Sequence, residues 1–156
     1  MINPILNKGG FGKSYSRQET VKRINPLVQA HHNLIFASLY AVEHLTDKEI
    51  ASALDALQPT SRIDVGKLME VVFSNGGTPP NGTDLEVEAF KLGDTDQEIV
   101  QKLTEMEAAY QRQVKQEFDD KNHQIRTLAV LENVLHHAEE RLRTLKQYAR
   151  VVTSHS

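Results

Sequence analysis

The chain has 156 residues, of which 39% are hydrophobic and 25% charged, a size and composition that fit one soluble globular domain. Its 18 Lys and Arg against 21 Asp and Glu leave a net charge of -3, and 6% aromatic residues without Trp offer few stacking platforms, so no nucleic-acid partner is expected. No apolar run approaches the roughly 20 residues of a membrane span. The lack of Cys removes disulfides, thiolate metal sites and cysteine nucleophiles, and the start lacks the order of a secretory signal, which points to the cytoplasm.

Residues 1–23 read as a flexible arm, with a short apolar stretch from Met1 to Leu6 and then Gly9, Gly10 and Gly12. Asn7-Lys8-Gly9-Gly10-Phe11-Gly12-Lys13-Ser14 has the glycines, lysine and serine of a phosphate-binding loop. It lacks the loop's first glycine, Pro4 spoils the strand that should precede it, and no parallel sheet exists to carry it, so we read it as part of the arm.

Asn25 and Pro26 then read as an N-cap with proline at the first helical position, opening a first helix on Leu27, Ala30, Leu34, Ala37 and Ala41. Thr46 with Glu49 predicts a capping box for a second helix through Ile50, Leu54 and Leu57. Pro59 should break it at Gln58 to Thr60, with Ser61 recapping a continuation through Val65, Leu68 and Val72 that ends at Gly76 and Gly77.

A linker from Thr78 to Asp94 follows, longer than most helix connections. Thr95 and Glu98 then form a capping box for a third helix on Ile99, Leu103, Met106, Tyr110 and Val114, running to about Asp119. After a turn at Asp120 to Asn122, Ile125, Leu128, Leu131, Leu135, Ala138, Leu142 and Leu145 mark the apolar face of a fourth helix. The expectation is an all-α four-helix bundle over residues 24–152, with a long crossover between the second and third helices and a disordered tail at 153–156.

One long crossover is the layout of ferritin-like bundles. Met69-Glu70-Val71-Val72-Phe73-Ser74-Asn75-Gly76-Gly77-Thr78-Pro79 resembles the end of the second helix in bacterioferritins and DNA-protection mini-ferritins. Leu131-Glu132-Asn133-Val134-Leu135-His136-His137-Ala138-Glu139-Glu140-Arg141-Leu142 is similar to the bacterioferritin fourth helix. The resemblance implies a ferritin-like fold and normally a diiron site of Glu and Glu-x-x-His, but no Glu-x-x-His occurs here. In the bacterioferritin register the fourth-helix pair falls on Ala138 and Arg141, the second-helix pair on Thr60 and Ile63, and the first-helix Glu on Asn33; the third-helix Glu remains as Glu105. In the mini-ferritin register Glu70 matches a ligand, but its partner falls on Gly66.

Other candidates have plainer readings. His136 has Glu132 and Glu140 four residues to either side, a grouping that suits a divalent ion but reads as a solvated face. His31 and His32 read as hydrogen-bonded residues within the first helix, and Glu43, beside Tyr40 on that helix, as solvent-facing. Arg126, Arg141, Arg143, Lys146 and Arg150 give the last helix a basic bias that also reads as a solvated face.

No catalytic residue, metal ligand or cofactor is assigned. The expected function is association or binding by a bundle without the diiron site, as a homo-oligomer through its first two helices and the arm. The alternative is a metal-dependent oxidase or iron-handling protein built on Glu70, Glu105 and the His136 face.

Overall fold

The computed structural model describes residues 14–154, and among these there is no strand. Helix α1 is Arg17–His44, capped by Ser16, whose hydroxyl accepts from the Glu19 amide at 3.0 Å. It therefore starts well before the expected Asn25, takes in residues assigned to the arm, and carries Pro26 in its interior. The physical reason is that the buried stripe continues upstream. An interior proline costs about 3 kcal/mol, but Thr20 and Ile24 are fully buried beside Leu27 and Val28, and each large apolar side chain recovers about 1.5–3 kcal/mol on burial.

Helix α2, Lys48–Asp55, is capped by Asp47, not Thr46; the Asp47 carboxylate accepts from the Glu49 and Ile50 amides. Thr46 is instead held by Asp96, through its amide at 2.8 Å and its hydroxyl at 2.9 Å. Helix α3, Gln58–Ser74, follows a break at Ala56 and Leu57, slightly earlier than expected. Pro59 sits in its first turn, where a missing N–H leaves no bond unmade. Ser61 is not a cap: it is buried within the helix, with its amide on the Leu57 carbonyl at 3.3 Å.

Gly76 (φ 84°) ends α3 in the left-handed conformation, and the Gly77 amide reaches back to the Val72 carbonyl at 3.0 Å. Helix α4, Asp96–Phe118, carries the expected capping box of Thr95 and Glu98. Helix α5, Ile125–Ser154, is longer than expected and includes two residues assigned to the tail. Ile125, expected on its apolar face, is 86% exposed, whereas Thr127 in the same turn is buried at 3%.

Helix α1 packs on α2, α3 and α4, and α5 packs on α3 and α4, which closes a four-membered ring around one core. Asp96 at the start of α4 binds Thr46 and Asp47 before α2, so the chain crosses the length of the bundle between α3 and α4. The crossover lies along α1, where His32, Phe36, Tyr40 and His44 recur every fourth residue. His32 Nε2 donates to the Pro80 carbonyl at 3.0 Å, Phe36 lies 6.1 Å from Phe90, Tyr40 donates to the Gly93 carbonyl at 3.3 Å, and His44 meets Glu88 at 3.0 Å.

Candidate functional site

The bundle closes on charged groups at its centre. Glu107 of α4 is 2% exposed and receives two hydrogen bonds from Arg141 of α5, Nε to Oε1 at 2.8 Å and Nη2 to Oε2 at 3.1 Å. This is the parallel two-bond geometry that matches a guanidinium to a carboxylate. Burial pushes the Glu107 carboxyl above its ordinary range, and the charge and hydrogen bonds of Arg141 oppose that shift. Burial also works against the Arg141 charge, but Glu107, Tyr110 and Asp64 outweigh it and hold the guanidinium above its ordinary value. Arg141 is therefore the fixed cation of the centre.

Two further polar groups complete it. Asp64 of α3, fully buried, meets His137 Nδ1 at 2.7 Å through Oδ2. His31 of α1 bridges three groups: Nδ1 lies 2.5 Å from the Tyr110 hydroxyl, and Nε2 lies 2.9 Å from the Ser61 carbonyl and 3.0 Å from its hydroxyl. A carbonyl only accepts, so Nε2 carries the proton and Nδ1 accepts from Tyr110. Burial first, and then the Arg141 charge, lower the His31 pKa to about 3, so this ring is neutral. Burial raises the Tyr110 phenol well above its ordinary range, which keeps it a donor.

These assignments limit the chemistry. Ser61 beside His31 is not an activated nucleophile, because the facing nitrogen donates and the other one is used by Tyr110. A metal ion is disfavoured at Glu107, where both oxygens already accept from a cation. A cavity of about 10 Å³, on the scale of one water, lies among Gln58, Ser61, Glu107 and Arg141. Outside it, a pocket of about 250 Å³ reaches Arg141 from the surface between Thr60, His137 and Glu140. Asp64 Oδ1 and Arg141 Nη1 are buried without a hydrogen-bond partner among the described residues.

A second cluster lies at the turn between α4 and α5. The Tyr15 hydroxyl donates to Asp120, its amide donates to the Asn122 carbonyl at 2.8 Å, and the Arg23 guanidinium lies 4.3 Å over its ring. Glu117, Asp120 and His123 have the spacing of a cation site, with His123 Nε2 at 2.7 Å from Glu117. Arg23 lies 3.7 Å from both carboxylates and supplies positive charge there. The arrangement fastens the start of α1 to the turn.

The residues picked out from the sequence fall elsewhere. Glu70, Glu105 and His136 are exposed on three different helices, and none belongs to a grouping with metal-ligand spacing among the described residues. His136 pairs with Glu140 at 3.2 Å in solvent, and Glu132 is exposed beside it. Arg126, Arg143, Lys146 and Arg150 are exposed, but Arg141, read as part of that face, points inward. Glu43 is exposed, and both His31 and His32 are hydrogen-bonded inside the fold. The phosphate-loop-like segment lies outside the described residues except for Ser14.

Of the positions set by the ferritin register, Ala138 and Arg141 face the core, whereas Thr60, Ile63 and Glu105 face outward. The inward positions are Ser61 and Asp64 on α3 and Glu107 on α4. Sequence reasoning missed Asp64, Glu107 and His137. The first two carried a legible signal: Glu107 falls between Leu103 and Tyr110 on the apolar stripe, and Asp64 lies beside Val65 and one turn before Leu68. No family model matches the chain, and no curated protein matches it.

Proposed function

We propose that this is a ferritin-like four-helix-bundle protein that acts by association, with a guanidinium–carboxylate pair where related bundles hold metal ions. Two observations support the ferritin-like layout: the crossover runs the length of the bundle, and inward-facing polar residues come from all four sides of the ring. The observation that carries the non-catalytic reading is the Glu107–Arg141 pair, which matches charge at the centre without an ion and leaves no free carboxylate pair to bridge two metals.

Incubation with Fe(II) in air, followed by desalting and elemental analysis, tests the reading. The expected result is iron well below one per chain and no catalysed oxidation. About two irons per chain, the loading of a diiron site, would overturn it.

A further inference from the structure

The outer face of α3 is at odds with a surface meant for water. Pro59, Ile63, Gly66, Glu70 and Phe73 follow one another at steps of four, three, four and three, the spacing of a helix–helix seam. Ile63 is 59% and Phe73 58% exposed, and they are two of the three large hydrophobic side chains so exposed among the described residues. They flank Gly66, in the middle of the helix. Glycine there weakens a helix relative to alanine, and nothing among the described residues requires it: an added Cβ would meet none of their atoms within 4 Å. A helix that keeps a glycine facing open space, between two exposed apolar side chains, is built for the close approach of another helix.

We infer that a second copy of this chain packs its own α3 antiparallel on this seam, crossing at Gly66. The inference deepens the association reading above by naming the partner. An isologous pairing about Gly66 sets Pro59 against the second copy's Phe73, Ile63 against its Met69, and Arg62 against its Glu70, each contact occurring twice. The charges select this arrangement. Arg62 and Glu70 are both exposed and make no ion pair within the chain among the described residues, and they stand too far apart on one helix to pair with each other. Across the two-fold axis they meet.

A seam of about four turns is small, below roughly 1,200 Å² in total, so the dimer is a dissociable one. Sedimentation equilibrium of the full chain tests it, at about 100 μM and on dilution. The expected result is a dimer that dissociates reversibly. Arg62→Glu and Gly66→Leu should each weaken it roughly tenfold or more, with helix content and thermal stability retained because both sites face outward. The charge swap Arg62→Glu with Glu70→Arg should restore association. A monomeric wild-type chain at the higher concentration overturns the inference and leaves the seam to residues 1–13 or to another protein. A dimer unchanged by both single variants overturns it as well. Iron content tests the metal-free reading and self-association tests this one, so each fails by its own measurement.

Discussion

At the scale of single residues, the Glu107–Arg141 pair decides the character of the core. Desolvating two charges costs several kcal/mol per ion, which the mutual attraction and two hydrogen bonds offset only while both partners are present. Arg141→Met should therefore destabilise the protein by about 3–5 kcal/mol in urea unfolding, by leaving a carboxylate buried alone. The double variant Glu107→Leu with Arg141→Met should lose much less than the two single losses added together. Additive losses would show that the two residues act independently.

His31 governs a pH dependence. Its pKa is about 3 when folded against 6.5 as an ordinary histidine, so below 6.5 the unfolded chain takes up a proton that the folded protein refuses. The stability due to neutral His31 is complete above about pH 6.5 and declines towards pH 3. Between pH 7 and 5 the loss is about 2 kcal/mol. Urea unfolding at these two pH values should show a slope that is flatter by about this amount in His31→Gln. The buried histidine was legible as a hydrogen-bonded residue; its partners Tyr110 and Ser61 were not, because they lie 79 and 30 residues away.

At the scale of elements, helix ends are more legible than starts: of the expected N-caps Asn25, Thr46, Ser61 and Thr95, only Thr95 caps a helix. The capping box at Thr95 and the left-handed glycine at Gly76 use only neighbouring residues, and both stand as expected. Gly76→Ala should cost about 1 kcal/mol, since a Cβ is strained at that positive φ; an unchanged urea midpoint would refute this. Helix α1 starts upstream of Pro26, against the proline rule, because burial of Ile24 outweighs the cost of a proline inside the helix.

The crossover depends on tertiary contacts. Its short helical turn, Val87–Phe90, has no buried residue, and the segment is held chiefly by the His32, Phe36, Tyr40 and His44 row on α1. His32→Ala should speed amide exchange across residues 80–93 while exchange within α4 and α5 stays slow. Equal acceleration in the helices would show that the row supports the whole bundle and not the crossover alone.

At the scale of the whole molecule, one core joins all the long helices, and no subset of them buries its apolar face alone. Unfolding should therefore be a single transition, with far-ultraviolet circular dichroism and tyrosine fluorescence coinciding across a urea titration. Two separated transitions would show that α4 and α5, which share the most extensive contact, unfold as a unit of their own.

Helical periodicity determined by itself the all-α class, the crossover between the second and third helical segments and most of the apolar positions, because each depends on residues within a few turns of one another. No helix of the described chain is long and apolar enough to cross a membrane, as composition indicated. Only the tertiary structure decided how the core charges are paired, Glu107 with Arg141 and Asp64 with His137. A single residue of helical phase separates outward Ile63 from inward Asp64, and two residues separate exposed Glu105 from buried Glu107. The apolar stripe of each helix carries the phase of Asp64 and Glu107, but which side chain meets each of them is set by how the four helices rotate against each other.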